Sequence, residues 1–305
     1  DVCSSDLHGF IPATGERVVK PLEHLVVRLC DTDPHLATQA VAAAELGDDT
    51  RSLRLGIDAL ARITGAGEVH LVADERQQLG AVEAFAEELD YALHRVDSAR
   101  YPLASDPFLA RSVSGREPQV AFRQVYESGT LVVDLTTLLE VARAVESDAP
   151  VTHRLVTVVG PGARKVVRAR IGTPLSDVIA AAGVEGDFAK VVLGGPLDGV
   201  AHHTLDHPLT KTVSAITLVP RDELAEFAND PCIGCGLCVM VCPARLVPGM
   251  LSRYCEFGQF DKAAEAHLFS CVECGCCAYV CPAGRSMVQF MIHGKTEILA
   301  ARRAS

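Results

Sequence analysis

Short apolar runs alternate with stretches of helical period through the first half of the chain. His24–Leu29, Glu68–Val72, Tyr91–Val96 and Leu131–Leu135 each predict a strand. Leu53, Ile57, Leu60 and Ile63 fall on one face of a predicted helix that Gly65 closes. Leu79, Val82, Phe85 and Leu89 mark a second helix, and residues 136–147 a third. Strands that alternate with helices predict a parallel sheet covered on both faces.

The pattern changes beyond residue 150. Leu155–Val159, the turn Gly160-Pro161-Gly162 and Lys165–Ile171 read as strand, turn and strand. Thr173 is placed to cap a helix with Pro174 at its first position, and Gly183 to stop it. Val191–Leu193 and Ala215–Val219 predict two more strands, and Gly194-Gly195-Pro196 opens the loop between them. Two strands, a helix and two strands predict a small β-grasp module. Further on, Phe260–Phe269 and Met287–Ala301 read as helices.

A chain of 305 residues allows two or three domains, and 49% hydrophobic with 22% charged residues is an ordinary globular balance. The net charge of -11 argues against nucleic acid as a partner, because an acidic surface repels phosphate backbones. No apolar run reaches about 18 residues without a charge, so no direct membrane span is expected. Asp1–Leu7 reads like the translation of a sequencing adapter; residues 1–8 are therefore expected to be non-native, with the native start missing.

Cysteine changes the picture most. Of 12 cysteines, ten lie between Cys232 and Cys281. Cys232, Cys235, Cys238 and Cys242, followed by Pro243, make one C-x2-C-x2-C-x3-C-P run; Cys271, Cys274, Cys277 and Cys281, followed by Pro282, make another. This is the spacing of cubane iron–sulfur ligation. Three closely spaced thiolates wrap three corners of a cluster, and the fourth faces away toward the neighbouring one. The spacing therefore assigns Cys232, Cys235, Cys238 and Cys281 to one [4Fe-4S] cluster, and Cys271, Cys274, Cys277 and Cys242 to the other. Gly234, Gly236 and Gly275 let the backbone approach, so that amide N–H groups reach sulfur. Structural zinc is the first alternative, but it favours two separated pairs of ligands. A disulfide framework is the second, but it would pervade a small secreted chain. Cys255 and Cys276 fall outside the ligand pattern and read as buried or supporting thiols, and Cys30 as a core residue near a strand end. The 28 residues from Pro243 to Ser270 leave room for one or two helices, which predicts a helical dicluster module.

With these motifs in place, the chain resembles the C-subunit family of the Rnf electron transport complex. Cys232–Met287 is similar to that family's dicluster module, and Gly172-Thr173-Pro174-Leu175 with Gly194-Gly195-Pro196 to its soluble-ligand-binding β-grasp domain. The resemblance implies a multidomain α/β and α+β fold. Its parts are a Rossmann-like domain of the complex I NADH-subunit type over 9–150, the β-grasp domain over 151–221 and the ferredoxin domain over 222–305. It also implies an FMN and NADH site at Gly9, Asp31, Asp33, Tyr101 and Asp106. The glycine-rich loop of that pattern is eroded: Gly9-Phe10-Ile11-Pro12-Ala13-Thr14 lacks the preceding glycines. Tyr101-Pro102 is followed by Leu103-Ala104-Ser105-Asp106 where the family has glycines and Glu. Added Cβ atoms obstruct the approach of a phosphate or an isoalloxazine ring.

The function so implied is electron relay through two clusters. Electrons would pass between a nicotinamide–flavin site and a ferredoxin-linked chain, with other subunits of a membrane complex and a ferredoxin as partners. The expected location is peripheral, on the cytoplasmic face of the membrane, where thiolate ligands stay reduced. Two other readings remain: a soluble donor of the cobalamin-reductase kind, and a non-enzymatic relay whose nucleotide domain is retained for packing. His202, His203 and His207 near Asp206 read as surface histidines and not as a catalytic set.

Overall fold

β1 (His24–Arg28) lies at the centre of the first sheet in the computed structural model, which describes residues 22–118, 125–196, 199–224 and 230–304. It is followed by α1 (Thr38–Leu46), α2 (Thr50–Thr64), β2 (Glu68–Asp74), α3 (Gly80–Glu88), β3 (Ala92–Val96), α4 (Asp106–Ser114), β4 (Thr130–Asp134) and α5 (Leu135–Ser147). The sheet is all-parallel, in the order β3-β2-β1-β4. Alternation along the strands separates two apolar faces. Leu25, Val27, Leu29, Leu71 and Ala73 pack against α1, α2, α3 and α5. Val26, Cys30 and Val72 pack under Ala104 and Leu109, the latter on α4. Burial pushes the Cys30 thiol up to about 11, as befits a core residue.

The predicted strands and helices of this region are present, with two differences. Ile63 is exposed; the buried stripe of α2 is Leu53, Gly56, Ile57, Leu60 and Thr64. Two turns beyond Ile57 the stripe falls on Thr64, whose hydroxyl donates to Leu60 O at 2.7 Å and so satisfies itself within the helix. The helices α1 and α4 come in addition. The run Ala42-Ala43-Ala44 gives α1 little contrast between faces. For α4, Pro107 near the start and left-handed Gly115 at the end are ordinary boundary signals that the strand-and-helix pattern did not use.

The second sheet is built from β5 (His153–Gly160), β6 (Ala163–Arg170), β7 (Phe188–Leu193), β8 (Val200–His202) and β9 (Ala215–Pro220), with α6 (Leu175–Ala181) after the first hairpin. Its order is β6-β5-β9-β7-β8; β5 and β9 are parallel neighbours and every other pair is antiparallel. β8 is a short edge strand that three residues of weak pattern did not announce. Thr173 does not cap α6: the cap position falls on Pro174, without a side-chain bond. Thr173 instead offers its carbonyl to Leu209 N at 2.8 Å, and Pro174 bridges to Pro208.

Both sheets lie in one compact unit. Thr38 Oγ1 on α1 meets Thr157 Oγ1 on β5 at 2.6 Å and donates to Ser214 O at 2.8 Å. Arg154 on β5 is buried 3.7 Å from Glu140 on α5. Burial pushes the Glu140 carboxyl up to about 7 despite that guanidinium.

The second unit is helical. Its elements are α7 (Leu237–Met240), α8 (Pro248–Glu256), α9 (Phe260–Glu265), α10 (Cys276–Tyr279) and α11 (Met287–Ala304). Leu251, Cys255, Ala263, Leu268, Met287 and Met291 form its core. The helix predicted over 260–269 ends earlier, at Glu265. His267 takes a left-handed conformation there, and Leu268–Ser270 continues as a 3-10 turn. No helix among the described residues is long and apolar enough to cross a membrane.

Gly56 sits where α2 meets α5; a Cβ there would lie 2.7 Å from the Leu138 carbonyl oxygen and 2.8 Å from its Cγ. Because backbone cannot yield as a side chain tip can, Gly56→Val is expected to destabilise the first unit by roughly 2 kcal/mol. The check is an earlier thermal transition in far-UV circular dichroism.

Candidate metal centre

The two cysteine runs share one backbone trace, repeated 39 residues on. Cys232 corresponds to Cys271 and Cys242 to Cys281, and α8 and α11 begin at Pro248 and Met287. The left-handed residues pair in the same way: Gly234 (φ 70°) with Glu273 (57°), Gly236 (76°) with Gly275 (82°), and Arg245 (55°) with Gly284 (53°). Gly236 and Gly275 stand just before the single-turn helices α7 and α10. These reversals curl each run back on itself, as a ligand loop around a cluster requires.

The second run is the better buried. Cys271 and Cys277 are buried, and Cys274 and Cys242 partly so. Burial, then the neighbouring Cys271, Cys274 and Cys242, pushes the Cys277 thiol up to about 12; burial alone dominates in raising Cys271 to about 11. Cys242, from the first run, thus lies in the field of Cys274 and Cys277 from the second. Buried thiols set together resist ionisation until a cation takes their charge. Backbone amides point at the same sulfurs. Leu246 N–H donates to Cys242 Sγ at 3.4 Å, with Ala244 and Arg245 adding to it, and the amides of Glu273 and Ala278 serve Cys271 and Cys277. Thiols grouped in this way, with N–H donors around them, fit an iron–sulfur cluster. In the first run Cys232 and Cys235 are exposed and Cys238 is partly buried, as is Cys281.

Two cysteines have other work. Cys255 on α8 is packed against α11, where Gly294 leaves no room for a Cβ: its ideal position is 2.4 Å from Cys255 Sγ. Burial raises that thiol to about 11. Cys276 hydrogen-bonds Cys274 and is a neighbour of the grouped thiols.

Lys295 is the residue that sequence reasoning missed. It is fully buried on α11, and its Nζ donates to Cys271 O and to Glu273 Oε1, both at 2.6 Å. The first run has Gly234 where the second has Glu273, so Glu273 bears the strain of a left-handed side-chain residue. The ion pair with Lys295 offsets that strain and ties the Cys271 loop to α11. A lysine in a helical tail reads as solvated; only the Glu in place of Gly at 273 signals a partner.

The positions singled out for flavin and NADH are largely engaged. Gly9 lies outside the described residues. Asp31 accepts the amides of Gln39 (3.0 Å) and Ala40 (3.2 Å) at the start of α1. Asp106, in the first turn of α4, pairs with the buried Arg28 at the end of β1. Asp33 is buried, its Oδ1 takes His35 N and Nδ1 at 2.8 Å each, and its Oδ2 has no hydrogen-bond partner. Tyr101 precedes Pro102 through a cis peptide bond. Carboxylates thus crowd the carboxyl ends of the parallel strands, where an open α/β sheet binds ligands. The described residues there supply no glycine-rich cradle for a phosphate; the Gly9–Thr14 loop lies outside them.

A family model described as a 4Fe-4S dicluster domain matches residues 231–285. With the grouped cysteines, it establishes two [4Fe-4S] clusters as the cofactors of this segment. The chain is 34% identical over 283 residues to the C subunit of the ion-translocating oxidoreductase complex of Erwinia tasmaniensis, covering 90% of this chain and 35% of that protein. It is 30% identical over 282 residues to the C subunit of the Na(+)-translocating ferredoxin:NAD(+) oxidoreductase complex of Acetobacterium woodii, covering 89% and 60%. The chain therefore spans between about a third and three fifths of the length of these relatives. Among solved structures, a chain of the NAD+-reducing [NiFe]-hydrogenase in its air-oxidized state superposes with a TM-score of 0.53 at 18% identity, over 92% of this chain and 60% of that one. That is a likeness of fold. The resemblance read from the motifs is borne out by these relatives.

Lys295→Met would leave the Glu273 carboxylate buried without its cation. A loss of about 3–5 kcal/mol is expected, read as a lower unfolding temperature of the cluster-loaded protein. Adding Glu273→Gly, which restores the residue of the first run, is expected to recover most of it.

Proposed function

We propose, on the premise that this chain is a relative of the C subunits of Rnf-type ion-translocating oxidoreductases, that it is their iron–sulfur relay component, passing single electrons through two adjacent clusters. The observation that carries this reading is the grouping of Cys242 with Cys271, Cys274 and Cys277, thiols of two different runs. In the ligand assignment it supports, Cys271, Cys274, Cys277 and Cys242 hold one cluster, and Cys232, Cys235, Cys238 and Cys281 hold the other. Exchange of the fourth cysteine between runs keeps the two centres close. A cubane cluster, when bound, accepts or releases one electron with little rearrangement. The chain's own part is to fix eight thiolates, aim amide donors at them and bury one set more deeply than the other. Deeper burial and fewer waters disfavour added negative charge, so the two centres differ in potential.

The three-part organisation over 9–150, 151–221 and 222–305 belongs to the same proposal. The order of the second sheet, with its first and last strands parallel side by side and one helix after the first hairpin, supports reading residues 151–221 as a β-grasp domain. Partners are the remaining subunits of a membrane complex and a ferredoxin-type donor or acceptor, met peripherally at the cytoplasmic face. Exposed Ile233, Met240 and Tyr279 beside the cysteine runs are apolar side chains of the kind that partner surfaces cover. No step is assigned to FMN or NADH, given the crowded carboxylates at the strand ends. The relay role is favoured over the cobalamin-reductase role by the identity of the relatives.

Anaerobic iron and sulfide analysis with EPR of the dithionite-reduced protein tests this reading. About eight irons per chain and two magnetically coupled cubane signals are expected. Cys242→Ala should reduce the iron to about four and remove the coupling, whereas Cys255→Ser should leave both unchanged. Zinc on the cysteines, or full iron in Cys242→Ala, would refute it. Stoichiometric flavin in the same extract would restore a nicotinamide–flavin site to the first unit.

A further inference from the structure

The first sheet carries a second cluster of metal-binding side chains at the end opposite its crowded carboxylates. His24 is the first residue of β1 and pairs in register with Glu68, the first residue of β2. Strand alternation puts His70 on the same face as Glu68. His24 Nδ1 lies 3.2 Å from Glu68 Oε2 and 3.3 Å from His70 Nε2, and His70 Nε2 lies 3.6 Å from Glu68 Oε2. Three ligand atoms thus form a nearly equilateral triangle.

The size of that triangle is informative. Tetrahedral bonds of about 2.0–2.1 Å to nitrogen and oxygen separate neighbouring ligands by about 3.3–3.4 Å. A hydrogen bond between His24 Nδ1 and His70 Nε2 uses one proton and leaves Glu68 Oε2, 3.6 Å from His70 Nε2, beyond hydrogen-bond reach of that nitrogen. A cation would engage all three atoms at once. The surroundings suit it too. His70 Nδ1 lies 3.1 Å from His94 Nε2 on β3, so His70 ligating through Nε2 would donate its other N–H to His94. Both histidines of the triangle are about nine-tenths buried, against the apolar face of Val26 and Val72, while Glu68 is mostly exposed and leaves a route of entry.

We propose that His24, His70 and Glu68 form a mononuclear Zn2+ site at the amino-terminal edge of the parallel sheet, with water in the fourth position. Two imidazoles and one carboxylate are a donor set that zinc favours, and zinc has no redox chemistry to compete with the clusters. The site ties β1 to β2 and binds only the folded chain, so its effect is on stability.

The test uses the full chain after anaerobic reconstitution with iron and sulfide, so that the cysteines are occupied. It is then exposed to Zn2+ against a chromophoric chelator. One Zn2+ per chain is expected, with only nitrogen and oxygen neighbours at about 2.0–2.1 Å by X-ray absorption at the zinc edge and no sulfur shell near about 2.3 Å. Zn2+ should also raise the unfolding temperature. Glu68→Gln, on an exposed side chain that leaves the core intact, and His24→Gln should each weaken binding at least about tenfold and abolish the thermal shift. His94→Gln should weaken it by about 10–100-fold. His202→Gln, on β8, should change nothing. Absence of retained zinc, sulfur ligation, or unchanged affinity in both Glu68→Gln and His24→Gln would overturn the proposal. Iron content measured on the same sample separates the two readings: the zinc assay counts only where the cysteines carry iron.

Discussion

Convergence of thiols from two stretches of chain is the constraint on which the helical unit depends. Cys242 comes into the field of Cys274 and Cys277 across two intervening helices, with amides turned toward Cys242, Cys271 and Cys277. The solution is a loop of left-handed reversals, a single-turn helix, and a longer helix to brace it, used twice. The braces then pack on each other through Cys255 and Gly294, a contact that tolerates no added carbon. Where the second loop replaces glycine by Glu273, a fully buried lysine answers it. Local strain, ion pair and helix packing form one chain of dependence.

The first unit solves a different problem. An all-parallel sheet needs cover on both faces, and one face is covered by α1, α2, α3 and α5 and the other by α4. Thr38 on α1, one of the helices covering the first sheet, then bonds to Thr157 on β5 of the second. The polar groups of the first sheet are sorted along the strands: Asp31, Asp33, Asp74, Asp106 and Asp134 follow the strands or close them, whereas His24 opens β1 and His70 and His94 are the third residues of β2 and β3. Arg28 lies among the acids, paired with Asp106, and balances part of their charge.

Much of this was legible in the sequence, for reasons that differ by element. β1, β2 and β4 are dense in Val and Leu, so their periodicity was plain. The cysteine runs announce their chemistry because ligand spacing is set by the geometry of the cluster. Legibility failed where tertiary partners decide. The stripe on α2 drifts from Ile63 to Thr64 because Thr64 can bond within its own helix. Thr173 has no capping to do because the first amides of α6, Leu175 N and Ser176 N, donate to the carbonyls of His207 and Leu205. Lys295 shows nothing of its burial, since a lysine in an amphipathic tail looks like any other. The histidine triangle was invisible because residues 24, 68 and 70 are brought together only by strand register. Asp31 and Asp106 were found as positions, yet their bonds to the start of α1 and to Arg28 could not be read from a single chain.

The repeat of 39 residues carries a consequence for assembly. The Cys242 thiol keeps company with thiols of the other run, so neither run is a self-contained unit. Each half depends on the other being in place, and the segment must form as one piece. The buried lysine and its carboxylate mark where the two halves, alike in backbone, part company in side chains.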